Sequence, residues 1–171
     1  EIAEIGFPDK GTPQGGIISP LLSNIVLNEL DWWVASQWET LPTRTPYKCR
    51  ELKNGTLDKS NVYAELRKTG LKECYIVRYA DDFKIFCRTK EDAEKTYYAV
   101  KDWLWKRLKL EVSDEKSKVT NLRKRDSEFL GFRIKLRRKS NLWVITSNVC
   151  DKAIHRISKE MADSVKAIQS S

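Results

Sequence analysis

The chain of 171 residues carries 32 Lys and Arg against 24 Asp and Glu, a net charge of +8, with 40% hydrophobic and 33% charged residues. That balance describes a globular chain with a core of moderate size and favours an acidic partner, nucleic acid being the commonest, although a lysine-rich solvated surface gives the same charge. A single histidine, His155, excludes metal sites built on two or more histidines, and no apolar run reaches membrane-spanning length.

The four cysteines, Cys49, Cys74, Cys87 and Cys150, lack the close spacing of a zinc site and read as free thiols in a reducing, cytoplasmic compartment. The chain opens on Glu1 without an initiator methionine and reads as part of something longer.

Residues 6–16 form a Gly/Pro-rich loop. A helix is expected from Ser19 to Glu39, with Ser19 as N-cap and Pro20 at the first helical position. Leu22, Ile25, Val26, Leu30, Trp33 and Val34 give it one apolar, core-facing stripe. Residues 40–72 are polar and broken by Pro42, Pro46, Gly55 and Gly70, and read as an insertion with a short helix near Val62–Lys68. A hairpin follows over Tyr75–Tyr79 and Phe83–Arg88. Thr89 then caps a helix over Lys90–Leu108, whose first turn carries Glu91 and Asp92 at the positive end of the helix dipole. Ala93, Tyr97, Val100, Leu104 and Leu108 supply its apolar stripe. Strand or turn is expected over Leu110–Val112 and Lys118–Leu122, then a strand pair over Phe129–Leu136 and Leu142–Ile145. A last helix starts near Asp151, with Ile154, Ile157, Met161, Val165 and Ile168 along one side. The order defines an α+β fold with antiparallel pairing.

Tyr79-Ala80-Asp81-Asp82 stands at the tip of the first hairpin. Two adjacent carboxylates in a tight turn can approach one region and hold a divalent cation, since Mg²⁺ takes one or two carboxylates, waters and substrate phosphates. An Asp-Asp turn between strands is also ordinary turn chemistry. The Gly11–Gly16 loop running into a helix N-terminus is a phosphate-binding device or a simple helix lead-in. Asn121–Lys139 gathers Arg123, Lys124, Arg125, Arg133, Lys135, Arg137, Arg138 and Lys139 against Asp126 and Glu128, with Phe129, Phe132 and Trp143 interleaved. Such a cluster suits contacts to a nucleic-acid backbone, or is a solvated hairpin face.

Gly11-Thr12-Pro13-Gln14-Gly15-Gly16-Ile17-Ile18-Ser19-Pro20-Leu21-Leu22-Ser23-Asn24 and the residues on to Asp31 resemble motif B of the group II intron reverse transcriptases. Arg78-Tyr79-Ala80-Asp81-Asp82-Phe83 resembles their motif C, Leu110–Lys118 their motif D, and Phe129-Leu130-Gly131-Phe132 their motif E. The four stand in the family's order and cover residues 11–135. The resemblance implies an RNA-directed DNA polymerase that uses two Mg²⁺ ions, with Asp81 and Asp82 as catalytic metal ligands. Gln14 and Gly15 would line the nucleotide and template pocket, Tyr79 and Ala80 would lie near the primer end, and Lys116 would donate a proton to the leaving pyrophosphate. Phe129, Leu130, Gly131 and Phe132 would form the primer grip.

The implied fold is a partial polymerase palm, a ferredoxin-like antiparallel sheet with helices on one face. Residues 1–148 would be palm, with the insertion at 40–72, and 149–171 the start of the thumb helix. The motif A strand with its aspartate, and the fingers, are missing from that pattern, so the chain alone is expected not to extend a primer. Implied partners are intron RNA, a template–primer duplex and dNTP in a bacterial cytoplasm, with no membrane. A homodimer or a companion polypeptide would cover the open sheet edge. Two other readings remain: a maturase-type protein that binds intron RNA to assist splicing, and a reverse transcriptase of a retron or diversity-generating element.

Overall fold

A computed structural model of the protein describes residues 18–169. In chain order the elements are α1 (Ser19–Gln37), β1 (Arg50–Glu51), β2 (Leu57–Asp58), α2 (Ser60–Leu66), β3 (Cys74–Tyr79), β4 (Asp82–Cys87) and α3 (Lys90–Trp103). The last of these continues as a π-helical turn over Leu104–Leu108. Then come β5 (Ser127–Phe129), β6 (Phe132–Lys139), β7 (Leu142–Val149) and α4 (Asp151–Gln169). The fold is thus mixed helix and antiparallel strand, as expected. The strands form three separate antiparallel sheets, β1-β2, β3-β4 and β5-β6-β7. The backbone divides into two compact units, one ending at Val112 and the other beginning at Ser113.

The first unit is built around α1. Leu27, Leu30, Val34 and Trp38 recur every three or four residues, and all four are buried. They pack with Leu66 of α2, Cys74 of β3, Val100 of α3 and Leu104 of its π turn. This corrects the expected stripe. Leu22, Ile25 and Val26 are exposed and Trp33 is half-buried, because α1 carries apolar residues around most of its circumference and periodicity does not select one face. The expected cap also shifts: Ile18 is the N-cap, with no side-chain bond, and Ser19 is the first helical residue. Burial pushes the Cys74 thiol up to about 11, as suits an inert core side chain. All four cysteines are free.

Residues 40–72 hold α2 as expected, and also the short β1-β2 ladder, which pairs Arg50 with Asp58 and Glu51 with Leu57. Thr89 caps α3 as expected: its hydroxyl accepts from the Asp92 backbone N–H at 3.1 Å and donates to the Asp92 carboxylate at 2.7 Å. Just before β3, Glu73 accepts from Arg67 Nε at 3.0 Å and Nη2 at 2.8 Å, and from the Tyr75 hydroxyl at 3.0 Å.

The second unit holds one three-stranded meander followed by α4. The expected strand over Phe129–Leu136 is broken at Leu130-Gly131, which form a two-residue hairpin turn with φ of 51° and 79°. Positive φ at both positions matches the right-handed twist of the flanking strands. Gly131 takes it without strain, and its carbonyl accepts from the Cys150 N–H at 2.8 Å, tying the start of α4 to the turn. β7 runs four residues beyond the expected Ile145. The segments Leu110–Val112 and Lys118–Leu122, where strand or turn was expected, form no strand, and Leu122 opens a turn. α4 begins at Asp151 as expected, but Ile154, Ile157, Met161, Val165 and Ile168 are all exposed.

Candidate active site

Side chains alternate along β3 and β4, so Cys74, Ile76 and Arg78 share a face with their partners Cys87, Ile85 and Phe83. That face lies on the α1 core, where Ile76, Phe83, Ile85 and Cys87 pack. Tyr79 pairs with Asp82, leaving Ala80 and Asp81 as the two-residue connection. The expected tip is therefore resolved into two positions: Asp81 lies in the turn and Asp82 is the first residue of β4. Both are exposed, as is Tyr79, while Ala80 is half-buried.

Ala80 has φ of 53°, a left-handed conformation that costs an L-residue roughly 1–2 kcal/mol. Something must hold it there. Arg78, with 9% of its side chain exposed, lies directly beneath. Its Nη1 donates to the Ala80 carbonyl at 2.7 Å and to Asn24 Oδ1 at 2.8 Å. Its Nε reaches Asp31 Oδ1 at 2.9 Å, and its Nη2 reaches Asp31 Oδ2 at 2.7 Å. One guanidinium thus ties the turn to two positions of α1. Arg78, Asn24 and Asp31 were assigned no role from the sequence. The row Cys74, Ile76, Arg78 marks Arg78 as a cation in need of a partner, but it does not say which carboxylate supplies one.

Neither Asp81 nor Asp82 makes a side-chain hydrogen bond or ion pair among the described residues. Their oxygens are hard donors free to bind a cation, and the pair fits Mg²⁺, which completes its shell with water and substrate phosphate. No group of three or more His, Cys, Asp or Glu side chains able to hold a metal occurs among the described residues. Two carboxylates therefore offer part of a metal site rather than a closed one.

Gln14 and Gly15 lie outside the described residues. Lys116 is exposed, in a turn closed by the Ser117 N–H donating to the Ser113 carbonyl at 3.0 Å. Phe129 is buried, whereas Leu130 and Phe132 are about half exposed, at 48% and 49%. A shallow depression of about 410 Å³ between α1 and α3 is lined by Trp33, Ala99, Asp102, Trp103, Lys106 and Arg107, none of them named from the sequence as site residues.

The basic cluster is ordered by β6. Arg133, Lys135, Arg137 and Lys139 alternate and so share one face of the strand. Arg133 is neutralised by Asp151 at 2.6 Å and Asp126 at 3.4 Å. Lys135, Arg137 and Lys139 have no acidic partner among the described residues. Arg123 lies over the Trp143 ring, 4.8 Å from its centroid.

An antiparallel hairpin that presents two unpaired carboxylates, in a basic chain, is compatible with the polymerase class. Residues 4–134 match the family model of the reverse transcriptases (RNA-dependent DNA polymerases), and the chain belongs to that family. Within it, the chain stands with the group II intron proteins. It is 34% identical over 162 residues to the group II intron-encoded protein LtrA of Lactococcus lactis subsp. cremoris, over 78% of this chain and 27% of that protein. It is also 32% identical over 139 residues to protein YkfC of Escherichia coli K12, over 77% of this chain and 34% of that protein. The chain thus spans between a quarter and about a third of the length of these relatives. No helix among the described residues is long and apolar enough to cross a membrane.

Proposed function

We propose that the β3-β4 hairpin is the metal-binding tip of the palm of an RNA-directed DNA polymerase that mobilises a group II intron. The observation that carries this reading is the exposed, unpaired Asp81-Asp82 pair on a two-residue turn anchored to the α1 core. Asp81 and Asp82 would hold Mg²⁺, two ions in the complete site, which would activate the primer 3′-hydroxyl and neutralise the leaving pyrophosphate. Tyr79 and Ala80 border the primer end, while Gln14 and Gly15 line the nucleotide and template pocket. Lys116 donates a proton to pyrophosphate, and its cation stabilises charge developing there. Phe129, Leu130, Gly131 and Phe132 position the primer.

The palm completes a ferredoxin-like sheet with a further strand and its aspartate from outside the described residues. In this division residues 1–148 are palm and 149–171 begin the thumb. With two carboxylates at the tip among the described residues, the chain alone is expected not to extend a primer. A companion polypeptide or a second copy of the chain covers the edge of the β3-β4 sheet. Substrates are dNTP and a template–primer duplex, with intron RNA as the further partner, in a bacterial cytoplasm. Lys135, Arg137 and Lys139 are placed for backbone phosphates.

That same basic row favours a second reading, in which binding of intron RNA assists splicing independently of polymerisation. Asp81→Ala in the full-length protein separates the two. DNA synthesis on an RNA template should be lost while intron splicing survives. Retained DNA synthesis would remove the hairpin tip from the catalytic site.

A further inference from the structure

We infer that Arg78 is a positioning residue for the metal-binding turn, holding Asp81 and Asp82 in place by locking the Ala80 carbonyl to helix α1. The inference rests on the polymerase reading above. Arg78 occupies the last place of the row Cys74–Ile76–Arg78 that β3 lays on the core. An apolar side chain would continue that row. Replacing a buried ion pair by well-packed apolar groups is often neutral or stabilising, so stability alone does not account for a charge here. What an apolar residue cannot do is bind three separate acceptors at once.

The guanidinium does so through a planar fork. Nε and Nη2 face the two oxygens of Asp31 at 2.9 Å and 2.7 Å, and Nη1 is shared between Asn24 Oδ1 and the Ala80 carbonyl at 2.8 Å and 2.7 Å. Asn24 and Asp31 stand seven residues apart, two turns of α1 and therefore on the same face. The contact to Ala80 falls on the residue with positive φ. A strained turn persists only where its surroundings over-determine it, and here one side chain links the strain to helix α1. Asp81 follows Ala80 directly, so the direction of the Ala80 peptide sets where Asp81 begins. A lysine at 78 would keep the charge but offer no fork, and could not satisfy Asp31, Asn24 and Ala80 together.

The test uses the full-length protein and four variants: Arg78→Lys, Arg78→Ala, Asn24→Ala and Arg67→Ala. Arg67→Ala is the matched control. It removes the Arg67–Glu73 fork at the other end of the same hairpin, far from the turn in sequence. Three quantities are read: Tm, the steady-state kcat and dNTP KM of primer extension, and Mn²⁺ affinity followed by electron paramagnetic resonance. A one-ångström misplacement of a catalytic group can cost ~10²-fold, so Arg78→Lys should lower kcat by that order. Its dNTP KM should stay within about twofold. Mn²⁺ should bind more weakly. Asn24→Ala, at an exposed position that leaves no buried charge, should shift kcat and Mn²⁺ affinity in the same direction by less, and it decides the matter should Arg78→Ala fail to fold. Arg67→Ala should lower Tm with kcat and Mn²⁺ affinity unchanged. The inference is overturned if Arg78→Lys and Asn24→Ala keep wild-type kcat and Mn²⁺ affinity, or if Arg67→Ala, which spares the turn, lowers kcat and Mn²⁺ affinity as much as Arg78→Lys does. An active Asp81→Asn would instead overturn the polymerase reading itself.

Discussion

Glu73 and Arg78 sit at opposite ends of β3, and each is paired through a guanidinium fork. At Glu73 the Arg67 hydrogen bonds, followed by the Tyr75 hydroxyl and the nearby Arg67 and Arg88 charges, hold the carboxyl below its usual 4.5 against the opposing effect of burial. The native state therefore favours the ionised form. The contribution to stability is full above the ordinary carboxylate value and is lost as pH falls through the lowered native one. Thermal melts taken from pH 7 down to pH 3 should show Tm falling, and Glu73→Gln should flatten the acid end of that curve. An unchanged slope in Glu73→Gln would show that other carboxylates govern acid unfolding. At this scale the sequence was only partly legible. Asp81 and Asp82 stood out because adjacent acids separate two short apolar runs. Asn24, Asp31 and Arg78 did not, because each is an ordinary polar residue until α1 and β3 are brought together.

Among the elements, α1 decides the first unit. Leu30 is fully buried and meets α2, β3 and α3 in one cluster. Leu30→Ala should destabilise the chain by about 2–5 kcal/mol in urea unfolding, whereas Ile25→Ala, at a position 62% exposed, should change little. Equal costs would mean that the expected stripe, rather than the observed one, faces the core. The β3-β4 hairpin was readable from two short apolar runs on either side of the Asp-Asp pair, and α3 from its Thr89 cap. The β5-β6 turn was not, because Leu130 is no turn residue by composition and the apolar run passes through it. β7 was read short because Thr146-Ser147-Asn148 has no apolar alternation. Its ladder continues through backbone pairing with Phe132–Lys135, helped by the Thr146 hydroxyl donating to the Lys135 carbonyl at 3.1 Å.

For the whole molecule, a net charge of +8 and three cations on one face of β6 without acidic partners among the described residues favour an acidic partner such as nucleic acid. Family membership was legible because four motifs occur in order, and a match over residues 4–134 bears it out. Under the proposed function, RNA binding would reside in the basic side chains and synthesis in the two carboxylates, so each can be tested without the other. The most direct measurement is steady-state primer extension on an RNA template with Mg²⁺, comparing the full-length protein with its Asp81→Asn variant. Removing a ligand charge from a preorganised site should lower synthesis by on the order of 10³-fold, with RNA binding unchanged. Synthesis near the wild-type rate in Asp81→Asn would contradict the assignment of the β3-β4 turn as the catalytic metal site.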